Sequence, residues 1–401
     1  MKYDFESIID RKGRDALAVD LIGAPGSPYP APRVGFDPIP MWIADMNFAV
    51  PPVIQQAVTE RTAHPCFGYF DAGDEYYGAI IDWQSRRNGV TGLTREAIGY
   101  ENGVLGGVIS ALNVLCSRGD SVLVHSPTYI GFTMSLKNNG YDIVHSPLKP
   151  DADGVYRMDF EDMERMIVEK HIHAMIMCSP HNPTGRVWER GELEQVAELC
   201  RKHDVFIVCD EIWSDIILGG SRHIPMQSVS DDARQRTVAL YAPSKTFNLA
   251  GLVGSYHIIY NSWLRDRVRK EASLSHYNSM NVLWMHALTG AYTPEGHEWL
   301  EQLREVLTRN AEFAVGFIRE RFKGVSVSMP QGTYMLFLDC TQWCREHGKS
   351  IDELLAAGYA VGVYWQDGRQ FEGPCHIRMN LASPEARIRE AFDRLDRYVF
   401  K

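Results

Sequence analysis

Along residues 121–245 the chain alternates short, nearly continuous apolar runs with small, polar or glycine-bearing turns. The runs are SVLVHSP at 121–127, HAMIMCSPHNPTG at 173–185, DVFIVCDEIW at 204–213 and TVALYAPSK at 237–245. Between the second and third, Leu193, Val196, Ala197, Leu199 and Cys200 recur at helical spacing. The order expected is strand, helix, strand. Strands apolar on both faces need cover on both faces, which crossover helices provide. The pattern therefore predicts an α/β fold with a mostly parallel sheet flanked by helices.

The two ends of the chain read differently. Through residue 46 the sequence is rich in Pro and Gly, and GAPGSPYPAPRVGFDPIP at 23–40 cannot form a helix over its span, so it reads as an arm. From Pro294 a long helix-like run leads to the strand-like segments VSVSMP, TYMLFLD and HIRMNL. The chain finishes with SPEARIREAFDRLDRYV, where Ser383 before Pro384 and Glu385 marks a capped helix start. Helices segregated from a few strands predict a smaller α+β domain. The expected division is an arm at 1–46 that joins the small domain, a large domain at 47–290 and a small carboxyl-terminal domain at 291–401. In HIHAMIM, His171 and His173 alternate at strand period and are expected on one face at a sheet edge, as a strand entrance.

Composition narrows the partners. With 401 residues, 45% hydrophobic and 23% charged, the chain can bury a large core, and its net charge of -10 opposes binding to a phosphate backbone. The short basic run RDRVRK at 265–270 reads as a helix face, so no nucleic-acid partner is expected. No apolar run reaches membrane-spanning length and the first residues lack an apolar signal core, so a cytoplasmic location without membrane contact is expected. The eight cysteines are spread thinly and read mostly as small buried hydrophobes. Three residues rather than two separate the sulfurs of CTQWC, and no second pair completes a zinc site, so no metal is expected.

Open α/β sheets bind ligands at the carboxyl ends of their strands. The loops after the four runs present Tyr129, Asn182, Asp210 and Lys245, the last three spaced 28 and 35 residues apart, about one strand-helix-strand unit each. An aromatic ring, an amide, a carboxylate and an amine would then meet in one crevice. Read alone, YAPSKTFNLAGL at 241–252 is equally a loop after a strand, and packing is a lesser alternative for Tyr129.

The ordered set DFESIIDRKG, ADMNF, GYF, HSPTY, CSPHNPTGRVW, CDEIWSD, APSKTFNLAGL and RMNLASP covers nearly the whole chain. It resembles the fold type I pyridoxal 5'-phosphate enzymes of the class I/II aminotransferase superfamily, and within them the MalY/PatB group of C-S β-lyases, which includes cystalysin and cystathionine β-lyase-like proteins. The resemblance implies that Lys245 carries the cofactor and moves the substrate's α-proton. It implies that Asp210 pairs with the ring nitrogen, that Asn182 donates to the phenolic oxygen and that Tyr129 stacks on the ring. ENGVLGGVISALNVL at 101–115 looks like the turn and helix start that hold the phosphate, through Gly103 and the amides of Val104 and Leu105. Ser244 is expected beside the phosphate or the lysine. Trp213 is expected as a cofactor neighbour without acid-base capacity, because an indole donates one hydrogen bond and accepts none. Arg378 matches the clamp for the substrate α-carboxylate, its fork offering two parallel donors. Tyr69 in CFGYF resembles the tyrosine that reaches the phosphate of a neighbouring subunit, which implies a homodimer with sites completed across subunits.

The sequence departs from many aminotransferases at Val253, where they carry an arginine eight positions beyond the lysine; the C-S lyase branch lacks it as well. EHGKS at 346–350 is no nucleotide-binding loop, since Trp343 stands where the upstream glycine is required. The reaction expected is β-elimination on L-cystathionine or a related sulfur amino acid, giving thiol, pyruvate and ammonia. Transamination between an L-amino acid and a 2-oxo acid is the alternative. The group also contains regulators of transcription factors, so a regulatory protein partner is a further expectation.

Overall fold

A computed structural model of the protein describes residues 1–274 and 277–401. Numbered along the chain, the strands are β1 (Ile39–Pro40), β2 (Ile98–Glu101), β3 (Ser121–Ser126), β4 (Asp142–Pro147), β5 (Lys149–Pro150), β6 (Tyr156–Arg157), β7 (Ala174–Cys178), β8 (Phe206–Asp210), β9 (Thr237–Tyr241), β10 (Ser255–Ile258), β11 (Ser326–Val327), β12 (Met335–Asp339), β13 (Val363–Tyr364), β14 (Gln366–Asp367) and β15 (His376–Asn380). Seven of them form one sheet in the order β2-β10-β9-β8-β7-β3-β4. β10 runs antiparallel to both of its neighbours, and the pairings from β9 to β4 are all parallel.

Alternation explains why these strands are apolar throughout. Val122, Ile176 and Val208 join one core with Val108 and Leu112 of the helix Val104–Leu115, while Leu123, Met175 and Ile207 join another with Leu193 and Val196 of the helix Arg190–Lys202. Successive side chains point to opposite faces, and both faces are roofed by helices. The expected α/β architecture is the observed one.

A second sheet has the order β11-β12-β15-β14, all antiparallel. It packs with the helix Pro294–Arg321, which starts on Pro294 with the Thr293 side chain accepting from Gly296 N at 3.1 Å. The helix buries Leu300, Leu303, Leu307, Ala311 and Ile318, a stripe at three- and four-residue spacing. The amino-terminal arm reaches this end of the molecule, since β1 pairs in parallel with β13, Ile39 opposite Val363.

Several local expectations are corrected. His171 and His173 lie before β7 rather than on it: His171 holds φ of 50°, a left-handed turn that no strand continues through. Ser383 does not cap the last helix, Glu385–Tyr398; Pro384 occupies the cap position and no side chain bonds there. The strand expected across VSVSMP shrinks to Ser326–Val327. The Pro/Gly stretch 23–40 has no helix, although a single turn, Leu17–Asp20, precedes it. Five of the eight cysteines are buried and all are free.

Candidate active site

β3, β7, β8 and β9 are adjacent in the large sheet, so their carboxyl ends open side by side. Tyr129 starts the helix Ile130–Asn139 just after β3; Asn182 lies four residues beyond β7; Asp210 ends β8; Ser244 and Lys245 sit in the single turn Pro243–Thr246 after β9. Together with Gly103, Val104, Leu105, Trp213 and Val253 they line one cavity of about 210 Å³. All the site residues expected on these loops are thus brought together within one chain.

The floor and walls have distinct physical characters. Gly103 holds φ of 80°, a left-handed turn natural to glycine, and delivers the chain into the helix Val104–Leu115, whose first turn no side chain caps. Val104 and Leu105 of that first turn line the cavity, and uncapped helix-start amides suit an anion. Opposite charge balance holds at Asp210, which is buried, accepts from Ile212 N at 3.0 Å, and has its carboxyl pushed up to about 7 by burial. The Lys245 amine donates to Ala44 O at 2.8 Å and stands 6.0 Å from the centre of the Trp213 ring. Burial, with the Arg378 charge nearby, lowers it to about 8, so neutral amine is accessible near neutral pH. The Tyr129 ring has room because residue 131 is glycine: a Cβ there would lie 2.3 Å from Tyr129 Cε1.

Arg378 approaches from the second sheet. It is buried on β15, donates to Asn182 Oδ1 at 3.0 Å, to Trp42 O at 3.1 Å and to Gln366 Oε1 at 2.5 Å, and lies over the Phe371 ring at 4.3 Å. Its Nε is enclosed without a partner among the described residues. Such an orphaned donor is costly unless a ligand meets it. Sequence reasoning had not singled out Gln366 or Phe371, although both fall in the segment WQDGRQF at 365–371. Tyr69 is elsewhere: fully exposed, it borders a separate cavity of about 860 Å³ together with His64, Phe70 and His286, and does not reach Lys245 of its own chain.

Residues 39–395 match the family described as Aminotransferase class I and II. The chain is 32% identical to cystathionine beta-lyase PatB of Bacillus subtilis, over 90% of this chain and 92% of PatB, and 31% identical to protein MalY of Escherichia coli, over 96% of each. The chain belongs to the aminotransferase class I and II family, on its MalY/PatB-like C-S lyase branch. Among solved structures, the pyridoxal-phosphate-bound C-S lyase of Staphylococcus hominis superposes with a TM-score of 0.88 at 30% identity, covering 98% of both chains. In this MalY/PatB-like protein, Val253 stands in the cavity wall with half of its surface exposed and φ of 44°, an uncommon conformation for a β-branched residue.

Proposed function

We propose that the protein is a pyridoxal-phosphate-dependent C-S β-lyase that cleaves L-cystathionine or a related sulfur amino acid. The observation that carries the reading is the convergence of Lys245, Asp210 and Asn182 with an uncapped helix start in one cavity. The fit to the cofactor is chemical. An anionic phosphate suits the free amides after Gly103, and a cationic ring nitrogen suits the buried Asp210 carboxyl, whose raised pKa a neighbouring cation would reverse. Lys245 lines the same cavity, and the Tyr129 ring supplies an aromatic face for stacking.

When bound, pyridoxal phosphate condenses with amines and draws off the electron pair left at the substrate's α-carbon. The protein's own residues supply the rest. Arg378, with its unpartnered Nε, receives the substrate carboxylate and fixes its orientation. Lys245 Nζ takes the α-proton, for which a pKa near 8 keeps a usable fraction of free amine. Asn182 holds Arg378 in place, its amide oxygen accepting from the guanidinium at 3.0 Å. Ser244 and the backbone of Val104 and Leu105 would hold the phosphate, and Trp213 closes the side of the cavity near Lys245. In β-elimination the β-carbon–sulfur bond then breaks with its electron pair leaving on sulfur. The three-carbon remainder takes up water and becomes pyruvate and ammonia.

The deciding measurement is stoichiometry. With L-cystathionine as the only amino acid, thiol, pyruvate and ammonia are expected in equal amounts over many turnovers, without any 2-oxo acid. A single event per site without thiol, restored by 2-oxoglutarate, would establish transamination instead. Borohydride reduction followed by peptide mapping is expected to place the cofactor on Lys245.

A further inference from the structure

The segment 43–47, Ile-Ala-Asp-Met-Asn, reaches the cavity at Ala44 beside Lys245, and its backbone is tied down from three directions. Asn248 uses both ends of its amide on one residue: Met46 N donates to Asn248 Oδ1 and Asn248 Nδ2 donates to Met46 O, each at 3.0 Å. Asn380, at the end of β15, donates to Ile43 O at 2.7 Å and to Asp45 O at 2.6 Å. Arg11, from the arm, reaches Asp45 Oδ2 at 2.5 Å, Asp45 Oδ1 and Met46 O at 3.2 Å, and Asn47 Oδ1 at 3.0 Å. From Ile43 to Met46 every backbone carbonyl is therefore engaged. Three are held by structural side chains, and the fourth, Ala44 O, accepts the Lys245 amine.

Asn248 also ties this strap to the lysine's own segment. It lies three residues beyond Lys245 and holds φ of 58°, a left-handed conformation that asparagine tolerates better than most residues. The carbonyl and the amine are thus registered to each other through a rigid local turn.

We infer that segment 43–47 is an aiming strap for Lys245: the Ala44 carbonyl holds one N–H of the free amine so that its lone pair faces the cavity, with Asn248, Asn380 and Arg11 as positioning residues. The inference rests on the reading of Lys245 as the proton-transfer base. An unrestrained lysine stem keeps about 2 kcal/mol of rotamer entropy. Misplacing a reacting group by about 1 Å costs on the order of 100-fold in rate. A fixed acceptor beside the amine removes both losses once the substrate has released the lysine as a free amine.

The test compares Asn248→Gly, which keeps the left-handed turn and loses both bonds, with Asn248→Asp, which keeps the acceptor for Met46 N and loses only the donor. Arg11→Gln provides an independent variant on the arm. In the holoenzyme, Asn248→Gly is expected to slow α-proton removal by about 10- to 100-fold. The isotope effect with α-deuterated substrate should rise while KM stays near the parent value, and Asn248→Asp should fall between. In the cofactor-free full chain, trace acetylation of Lys245 relative to the other lysines is expected to rise several-fold in Asn248→Gly and Arg11→Gln. Variants that lose thermal stability while isotope effect, α-proton exchange and Lys245 acetylation all stay at parent values would overturn the inference and leave the strap a structural brace. Failure of the underlying lysine reading is separately visible, as borohydride trapping away from Lys245 in the unmodified protein.

Discussion

Asp210 sits at the end of a fully apolar strand, and without a cation beside it burial makes ionisation unfavourable; its carboxyl is pushed from 3.8 to about 7. A raised carboxyl pKa means that the folded chain holds the proton more tightly than the unfolded chain does. The cofactor-free protein therefore loses stability as pH rises from about 4 to about 7, by roughly 1.4 kcal/mol for each unit of separation and a few kcal/mol at most. Asp210→Asn carries no such charge. Thermal unfolding of the two cofactor-free proteins is expected to show the Asn variant gaining relative to its parent between pH 5 and pH 8; a difference independent of pH would remove the claim. Bound cofactor should reverse the order, since the Asn variant then lacks a partner for the ring cation.

At the scale of elements, glycine positions decide whether helix starts can serve a ligand. Gly131 lies in the first turn of the helix Ile130–Asn139, and an added Cβ would meet Tyr129 Cε1 at 2.3 Å and Leu105 Cδ1 at 2.9 Å. Gly131→Ala is expected to push the Tyr129 ring out of the cavity and weaken cofactor affinity by about 2- to 10-fold, the worth of an aromatic stack. Equilibrium dialysis of the cofactor against the variant reads this directly, and unchanged affinity would show that the ring does not form the stacking face. Such elements were legible for a local reason. Apolar runs and helical spacing are properties of neighbouring residues, and so β7, β8, β9 and the helix Arg190–Lys202 lie where periodicity puts them. The loops that follow bring Tyr129, Asn182, Asp210 and Lys245 to one crevice by sheet order alone. What stayed hidden depends on distant partners or on a single torsion. Asn248 finds Met46 across 202 positions and Asn380 finds Ile43 across 337, and no local pattern announces either. His171 leaves the strand through one left-handed φ, and Ser383 loses the cap position to Pro384.

For the whole molecule the telling surface is CFGYF at 66–70. Phe67, Tyr69 and Phe70 are exposed beside the helices Pro52–Ala63 and Val282–Ala291, a concentration of aromatic surface that soluble monomers seldom leave open. We propose that a second copy of the chain covers it and receives Tyr69 at its own cavity. Tyr69→Phe is then expected to weaken cofactor retention in every site. After subunit exchange between Tyr69→Phe and Lys245→Ala proteins, half of the dimers are mixed and one site in each is intact, so about a quarter of the parent activity should return at limiting cofactor. Recovery no greater than the sum of the separate variants would mean that Tyr69 serves no neighbouring site.

The pairing of β1 with β13 has a consequence for how the protein is made. Residues 39–40 leave the ribosome long before their partners at 363–364, and long before Asn380, which holds the strap beside Lys245. Strand pairings of such long separation form late, because the intervening loop must close before the contact repays it. The nascent chain can raise β3, β7, β8 and β9 into a sheet and present the lysine well before the arm is fastened down. The strap beside the amine thus gains the last of its three ties only once the carboxyl-terminal strands are in place. A polypeptide released before residue 380 would carry every group of the cavity floor, with Ile43 O and Asp45 O left without the side chain that holds them.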